Sequence, residues 1–292
     1  MESELWPIQL EEMRLSKIPT LLVNARLSSQ SQTRWLRASG LASHLLRTFE
    51  AIFAQSPEDA TRYSSIAKCK VVYSGNLKAA AGPLPFDKER LIALNKLISG
   101  RLLWVMASTH EGEELIAADA HKILKGSFPD ILTVIVPRHP KRGFSISKKL
   151  REGGYNIGLR SEGTEPGSDI DIYIDDSIGE LGIWYRVASL VVVAGSLRPF
   201  GGHNPLEPAI LRKPLIFGPN MDNFQSIADG LVREGGAIIT SESALAADLC
   251  RLLGDDDSRL KIGMAALEYA QNQQILASRV GEAVAPWFQK IS

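Results

Sequence analysis

The sequence predicts an α/β protein built on largely parallel β-sheets, and two observations predict this fold class. Short runs of β-branched and aliphatic residues alternate with longer segments of helical periodicity, which is the pattern of successive βαβ units. Signals for the start of a helix recur directly after these runs, where strands of a parallel sheet would end. The runs predicted as strands are 19–24, 51–55, 102–107, 131–136, 171–175, 190–195, 214–218 and 237–240.

Four segments after predicted strands place a capping side chain three residues before a carboxylate. This spacing is typical of a capping box or a close relative of one. In two of them a proline follows the cap, where its missing N–H costs the helix little. The four segments are Ser56-Pro57-Glu58-Asp59, Ser108-Thr109-His110-Glu111, Ser177-Ile178-Gly179-Glu180 and Asn204-Pro205-Leu206-Glu207.

The chain divides into unequal parts. Residues 73–85 lose periodicity and gather Gly, Ala and Pro, as a linker does, so we expect a boundary near 71–78. Residues 72–275 have the size of a complete doubly wound domain. Residues 1–71 hold about two strands, too few for a sheet of ordinary size, and are expected to be part of a domain. Residues 276–292 are expected to form a helix that crosses back to the N-terminal part.

Composition excludes several classes. Apolar residues make up 45% and charged residues 23% of the chain, as in ordinary soluble globular proteins. Lys plus Arg (33) equals Asp plus Glu (33), so no overall field favours nucleic acid, and any recognition of anions is local. The longest apolar runs are far shorter than the roughly 20 residues of a membrane-spanning helix. The N-terminus lacks the basic and apolar regions of a secretory signal.

The two cysteines, Cys69 and Cys250, lie far apart and form no metal-binding spacing, which fits a reducing cytoplasm better than a disulfide scaffold. Neither GxGxxG nor GxxxxGK[ST] occurs, which disfavours dinucleotide oxidoreductases and P-loop NTPases.

Parallel sheets bind ligands beyond the carboxyl ends of their strands, so the turns there are the candidate sites. Pro137 and Arg138 directly follow the predicted strand 131–136. An arginine at this edge suits a phosphate, because its planar fork donates two parallel charge-assisted hydrogen bonds. The alternative is a surface arginine in a proline-bounded loop.

The segment 195–208 is the densest signal. Gly201 and Gly202 let the backbone approach a ligand closely, and the helix predicted to begin at Asn204 directs N–H groups outward. Glu207, one turn in, could accept hydrogen bonds from a ribose diol or could only cap its own helix. The glycine pair favours the ligand interpretation.

Two further turns carry polar residues. After the strand 171–175, Gly179 exposes backbone that could read a base edge, while the pair Asp175 and Asp176 lacks a second carboxylate cluster for a metal. In the segment 108–114 a Ser/His nucleophile pair is disfavoured, because adjacent helical residues do not face one another and no GxSxG motif occurs. We interpret this segment as a ligand-facing loop whose acids also suit the helix dipole.

Several of these motifs, in this order, resemble the 3-deoxy-D-manno-octulosonic acid (Kdo) transferases of bacterial lipid A assembly. Each motif is weak alone, but together they are specific and extend over essentially the whole chain. The motifs are Met1-Glu2-Ser3-Glu4-Leu5-Trp6-Pro7, Val23-Asn24-Ala25-Arg26-Leu27-Ser28, Ser74-Gly75-Asn76-Leu77-Lys78, Ser108-Thr109-His110-Glu111-Gly112-Glu113-Glu114, Val136-Pro137-Arg138-His139-Pro140 and Gly201-Gly202-His203-Asn204-Pro205-Leu206-Glu207.

The resemblance implies a GT-B glycosyltransferase fold, with a complete C-terminal Rossmann-like domain (72–275) and a partial N-terminal, acceptor-side one (1–71). It also implies transfer of Kdo from CMP-Kdo to the lipid A precursor, with inversion and without metal or other cofactor. The residues it assigns to the site are, for CMP binding, Pro137, Arg138, Ile178, Gly179, Glu180, Asn204, Pro205, Leu206 and Glu207, and, for transition-state stabilisation, Glu2 and Lys78.

Physical chemistry agrees with these roles. Departure of CMP leaves charge on a phosphate, so cations must meet it as the bond breaks, and Arg138 and Lys78 are the candidate pair. A carboxylate near the acceptor hydroxyl, here Glu2, could help to route its proton.

Kdo transferases carry a membrane-associating N-terminus and a general-base glutamate upstream of the Glu2 motif, and the chain begins after both. We therefore expect a fragment of an enzyme of the cytoplasmic face of the inner membrane, associated with the membrane peripherally through the missing segment. The alternatives are another GT-B enzyme, using a UDP-sugar as a transferase or epimerase, and a non-catalytic CMP-binding fragment.

Overall fold

The structure, a computed structural model, describes residues 5–77 and 82–289, which form two compact units. One unit comprises 5–77 together with 271–289, and the other comprises 82–270. Lys70–Tyr73 forms a strand of the sheet of the first unit, so the first unit ends after residue 73. No helix in the described parts of the chain is both long enough and apolar enough to cross a lipid bilayer.

The first unit holds a three-stranded parallel sheet in the order β1-β2-β3. Its core packs Leu45, Phe49, Ile52 and Tyr63 between sheet and helices. The elements are α1 (Pro7–Leu15), β1 (Thr20–Ala25), α2 (Ser29–Arg37), α3 (Ser39–Leu46), β2 (Phe49–Ala54), α4 (Pro57–Ser64) and β3 (Lys70–Tyr73).

The second unit holds a seven-stranded parallel sheet in the order β10-β9-β8-β4-β5-β7-β6. Its strands are β4 (Leu103–Thr109), β5 (Leu132–Pro137), β6 (Ile157–Leu159), β7 (Ile172–Ile174), β8 (Leu190–Val193), β9 (Leu215–Phe217) and β10 (Ala237–Ile239). Its helices are α5 (Lys88–Leu97), α6 (Glu113–Leu124), α7 (Gly143–Glu152), α8 (Leu181–Val187), α9 (Leu206–Ala209), α10 (Gln225–Arg233) and α11 (Leu245–Leu253), and α12 (Asp256–Gln289) begins here.

The order of the strands fixes where a ligand can enter the second unit. After β4 the chain forms β5, β6 and β7 on one side of β4, where their spatial order is β5-β7-β6. It then returns and forms β8, β9 and β10 on the other side. The loops after β4 and β8 therefore leave the sheet in opposite directions and open a crevice between them. In doubly wound sheets such a switch point is where ligands bind.

The core of the second unit explains why its central strands were easy to predict. Residues of β4 and β8, including Trp104, Met106 and Val192, are fully buried because helices cover both faces of the sheet. Strands buried on both faces appear in sequence as continuous apolar runs.

All eight predicted strands are present, but β3 and β6 were not predicted. β3 reads Lys-Val-Val-Tyr with exposed ends, and it directly adjoins the linker-like segment 73–85. β6 has only three residues, with Gly158 in the middle. Both lie at sheet edges, β3 with exposed ends and β6 with a glycine that interrupts its apolar run.

The predicted helix starts are only partly confirmed. Ser56 is the N-cap of α4, and its hydroxyl accepts a hydrogen bond from the Asp59 N–H at 3.0 Å. The prediction for Ser108 is wrong, since α6 begins at Glu113 after the cap residue Gly112. It is also wrong for Ser177, because α8 begins at Leu181 and has no side-chain cap.

Gly218 allows the end of β9 to pack tightly against the turn after β8. A Cβ at this position would lie 2.2 Å from the carbonyl oxygen of Ser196. The contact is backbone to backbone and cannot be relieved by turning a side chain. The same turn is fixed by the Gly218 N–H, which donates to the Ser196 hydroxyl at 2.8 Å.

We expect Gly218→Ala to lower the free energy of unfolding by about 1–3 kcal/mol, the usual cost of overpacking. The matched control is Gly40→Ala in α3, where nothing lies within 4 Å of the added carbon and a modest gain of up to about 1 kcal/mol is expected. Urea unfolding followed by circular dichroism measures both changes. Equal stability of the two variants would contradict the packing argument.

Candidate functional site

The loops that follow β8, β4, β5 and β7 lie side by side along one edge of the sheet, because these strands are parallel neighbours. We call this edge the rim. It contains every residue assigned to CMP binding: Pro137, Arg138, Ile178, Gly179, Glu180, Asn204, Pro205, Leu206 and Glu207.

The end of β4 is irregular where the rim begins. Ala107 pairs with Val136 and Thr109 with Pro137, so that Ser108 is an extra residue in the strand. Ser108 has a φ of 64°, in the left-handed region that L-residues seldom adopt. Such bulges re-aim the residues that follow, and here those residues enter the crevice.

Glu113 ties the two loops of the crevice together. Its side chain is fully buried, and one oxygen, Oε2, accepts hydrogen bonds from the N–H of His110 at 2.9 Å and of Gly195 at 2.8 Å. The other, Oε1, accepts from the N–H of Leu197 at 3.2 Å. Burial raises the pKa of Glu113, and the three backbone N–H donors act against that rise. Glu113 thus joins the loop after β4 to the loop after β8.

Glu114 links the end of β4 to the segment that follows β5. It is nearly buried, and Arg142 donates to both of its oxygens, at 2.7 and 3.2 Å. The Thr109 hydroxyl donates to Oε1 at 2.8 Å. We predicted a ligand-facing loop whose acids suit the helix dipole, but Glu113 and Glu114 turn inward and hold the framework.

His110 and His203 meet across the crevice. Their Nε2 atoms are 2.9 Å apart, and their ring planes differ by only 7°. The ring centroids are 5.1 Å apart, which is the nitrogen-to-nitrogen distance plus about one ring radius on each side. The rings therefore lie edge to edge in nearly one plane, which aligns an N–H donor of one with the bare nitrogen of the other.

Both imidazoles are held neutral. Burial lowers the pKa of His203 to about 4, and His110, Arg138 and His139 act in the same direction. Burial also lowers the pKa of His110, together with His139, Arg142 and Arg138. Phe200 covers His110 in a stacked arrangement with centroids 4.2 Å apart. The disfavoured Ser/His pair does not form a hydrogen bond in the described residues, since the partner of His110 is His203.

Arg138 lies at the rim as predicted, directly after β5. Its backbone N–H donates to the carbonyl of Thr109 at 3.0 Å, and its side chain is exposed. Within residues 5–77 and 82–289 the guanidinium forms no ion pair or hydrogen bond. It lies close enough to His110 and His203 to influence their titration.

The loop after β7 uses its acids internally. Asp175 is buried and accepts from the Ser177 N–H at 2.9 Å and from the Trp184 indole N–H. Asp176 accepts from the Ser161 N–H at 2.9 Å and from its hydroxyl at 2.7 Å.

Glu180 is also engaged by the protein. Arg160 donates to it at 2.9 Å, and Arg90 lies 3.8 Å from its other oxygen. In contrast, Ile178 is 90% exposed and Gly179 is open to solvent, with a φ of 99°. In the described part of the chain, the N–H groups of Ile178, Gly179 and Glu180 donate no hydrogen bond.

The segment Asn204–Glu207 forms a shorter helix start than the sequence predicted. α9 contains four residues, and the Leu206 N–H donates to the Asn204 side chain at 3.1 Å. The Asn204 amide donates to Glu207 at 3.3 Å, so Glu207 contacts a side chain and does not reach back to its own backbone. Burial raises the pKa of Glu207, while the bond from Asn204 acts in the opposite direction.

The glycine pair before this segment is sterically required. Gly201 and Gly202 have φ values of 88° and 72°. A Cβ on Gly202 would lie 2.3 Å from the sulfur of Met221, and one on Gly201 would lie 2.5 Å from the Asn223 amide.

The two residues assigned to transition-state stabilisation, Glu2 and Lys78, lie outside the described residues. The residue before Lys78 is anchored within the first unit, since the Leu77 N–H donates to the Asn24 side chain at 2.9 Å. Asn24 has a φ of 58° and interrupts the pairing of β1 with β2. The motifs around Asn24 and Leu77, distant in sequence, therefore meet.

Sequence reasoning did not find the Glu113 bridge or the His110–His203 pair. Both depend on β4 and β8 being neighbours, although the strands are separated by β5, β6 and β7 along the chain. The only available signal was that each histidine lies in a motif that follows a strand.

We expect Glu113→Gln to lower the free energy of unfolding by about 1–3 kcal/mol. Glutamine has a single side-chain oxygen that accepts hydrogen bonds, so one buried N–H loses its partner. Hydrogen exchange at Gly195 and Leu197 should also accelerate. The control is Glu111→Gln, an exposed residue of the same loop, where a change within about 0.5 kcal/mol is expected. Unaltered exchange in the Glu113 variant would contradict the bridging role.

Comparisons with known proteins follow the division of the chain. Residues 1–81 match a family model described as 3-Deoxy-D-manno-octulosonic-acid transferase (kdotransferase). The chain is similar to the C-terminal CMP-Kdo binding domain of WaaA from Acinetobacter baumannii, with 28% identity and a TM-score of 0.60, covering 63% of this chain and 97% of that one. A putative UDP-N-acetylglucosamine 2-epimerase from Listeria monocytogenes shares the fold at 14% identity, with a TM-score of 0.62 over 96% of this chain and 70% of that one.

Curated relatives extend the likeness over nearly the whole chain. The 3-deoxy-D-manno-octulosonic acid transferase of Rickettsia felis is 34% identical over 94% of this chain and 59% of its own length. The Haemophilus influenzae transferase is 30% identical over 99% of this chain and 69% of its own length. The chain thus spans about three fifths to two thirds of these relatives. Its two α/β units, each built on a sheet of parallel strands, are of GT-B type, and the chain belongs to the 3-deoxy-D-manno-octulosonic acid transferase family.

Proposed function

We propose that the second unit binds the donor CMP-Kdo along the rim and that the chain serves the transfer of Kdo to the lipid A precursor. In this proposal Pro137 and Arg138 meet the phosphate, Ile178–Glu180 meet the cytosine, and Asn204–Glu207 meet the ribose. The donor assignment is supported by the likeness to the CMP-Kdo binding domain of WaaA.

The observation that carries the proposal is the unpaired charge of Arg138. The neighbouring arginines of the rim are occupied, since Arg142 pairs with Glu114 and Arg160 with Glu180. Arg138, in contrast, has no anionic partner in the described residues. An exposed guanidinium beside two neutral imidazoles at a switch point has the chemistry to bind a phosphate.

The structure changes the role that we assign to Glu180. Because Arg160 and Arg90 already engage its carboxylate, the contribution of this loop comes from its backbone. The successive free N–H groups of Ile178, Gly179 and Glu180 suit the acceptor atoms of a pyrimidine base. The open space at Gly179 allows close approach.

Lys78 and Glu2 complete the proposal on the acceptor side. Lys78 would neutralise the phosphate as the glycosidic bond breaks, and Glu2 would help to route the acceptor proton. We further propose that transfer takes place at the cytoplasmic face of the inner membrane, where the enzyme associates peripherally and meets the lipid A precursor.

We expect Arg138→Ala to weaken binding of CMP by about 1.5–3 kcal/mol, or roughly 10- to 150-fold, the usual value of a hydrogen bond to a charged group. The control is Arg198→Ala, because Arg198 is an exposed arginine that Glu242 already neutralises at 3.0 Å. Isothermal titration calorimetry with CMP measures both affinities. Equal losses in the two variants would remove Arg138 from the site.

We also expect the chain to bind CMP more tightly than UMP. The two nucleotides carry the same ribose phosphate, so the difference reports recognition of the base alone. Competition calorimetry at one pH measures the ratio of the dissociation constants. A preference for UMP would favour an enzyme of the same fold that uses a UDP-sugar.

A further inference from the structure

The hydrogen bond between His110 and His203 determines how many protons the two imidazoles can take up. In the neutral pair one Nε2–H donates to the bare Nε2 of the other ring, at 2.9 Å. A proton added to the Nδ1 atom of the donor ring leaves this bond in place and strengthens it by charge. A second added proton would put two N–H groups face to face and break the bond. The pair can therefore take up one proton, but not two.

The surroundings of the pair oppose that proton while the crevice holds no anion. The groups acting on the two rings are, from the loop after β5, Arg138, His139 and Arg142, and, from the loop after β4, Glu114, whose charge acts in the opposite direction. Glu113 is also adjacent, but its carboxylate is committed to three backbone N–H donors. Burial and positive neighbours thus keep the pair neutral.

An anion beside Arg138 reverses this balance. A phosphate monoester carries close to two negative charges at neutral pH and would neutralise the guanidinium that repels a proton from the rings. Among the described residues, neither Nδ1 atom has a hydrogen-bond partner, so each is available for the new proton.

We propose that the His110–His203 pair binds one proton when the phosphate of a nucleotide occupies the rim, so that the pair is cationic in the nucleotide complex and neutral in the free protein. The inference rests on the proposed binding of CMP and adds two phosphate-binding residues to the site. It implies that the positive charge of the histidine pair helps to hold the nucleotide product and is lost when the product dissociates.

The direct test is the protonation state of the imidazoles. The chain has only five histidines, so the ¹⁵N resonances of each ring can be assigned through single substitutions. At pH 7.5 the phosphate of CMP is already ionised, since its second pKa is about 6. We expect addition of CMP to convert one ring of the pair to imidazolium, whereas cytidine, which lacks the phosphate, leaves both rings neutral.

Binding affinity gives a second readout. A proton taken up on binding favours the complex at low pH, and this advantage is lost as the pH rises through the pKa of the complex. The dissociation constant of CMP should therefore increase between pH 6.5 and 8, by up to about tenfold per pH unit. Cytidine should show no such trend. His203→Gln should abolish the trend, and His44→Gln, which changes an exposed histidine of the first unit, should retain it.

The outcomes are distinguishable. If CMP binds while both rings remain neutral and the affinity does not depend on pH, the inference is overturned and the proposed function stands. If CMP does not bind at all, the proposed function fails, and the inference fails with it. The spectra of the unmodified chain decide the question even if His203→Gln does not fold.

Discussion

The geometry of the rim depends on one buried carboxylate, that of Glu113. It spans the place in the second unit where neighbouring strands, β4 and β8, send their loops away from each other. Two loops that diverge have no backbone ladder to keep them in register, and a side chain must supply the link. Glu113 does so through backbone N–H groups on both sides, and a carboxylate can satisfy three such donors where an amide cannot. The cost of burying its charge is offset by these bonds.

This link sets the position of the chemical groups above it. The N–H of His110 and the N–H of Gly195 bind the same oxygen of Glu113, which brings the loops that carry the two histidines together. A Cβ on Gly195 would lie 3.0 Å from the ring of His203 and 3.3 Å from that of His110, so glycine is needed for the rings to meet. The bulge at Ser108 directs the chain towards the same point. The bonds of Glu113, the glycine at 195 and the strained Ser108 thus together position the hydrogen bond between the two histidines.

The sequence was most informative where burial imposes a pattern. The apolar runs of β4, β5 and β8 are buried on both faces, so they predicted the parallel sheet and the edge at which Arg138 lies. Two edge strands lack a clear apolar run: β3 has the exposed Lys70 and Tyr73 at its ends, and β6 has Gly158 in its middle. Motifs of a few consecutive residues predicted the starts of helices less well than apolar runs predicted strands. The spacing around Ser108 and Ser177 resembled capping boxes, yet the helices begin later, at Glu113 and Leu181, and neither has a side-chain cap. Contacts such as His110 with His203 depend on strand order, which no local spacing encodes.

The distribution of charge along the rim explains why an anion suits it, although the chain as a whole is neutral. The sequence places clusters of acids after β4 and after β7, and taken alone they would favour a cation. In the structure Glu113, Glu114, Asp175, Asp176 and Glu180 all accept hydrogen bonds from the protein. Two of the nearby arginines, Arg142 and Arg160, are consumed in the same way. Arg138 and the uncommitted N–H groups of Ile178, Gly179 and Glu180 remain exposed, and Glu111 is the exposed acid of the loop after β4. The proposed binding of an anion at the rim is thus compatible with its acids, because most of them serve as structural acceptors and leave hydrogen-bond donors facing the solvent.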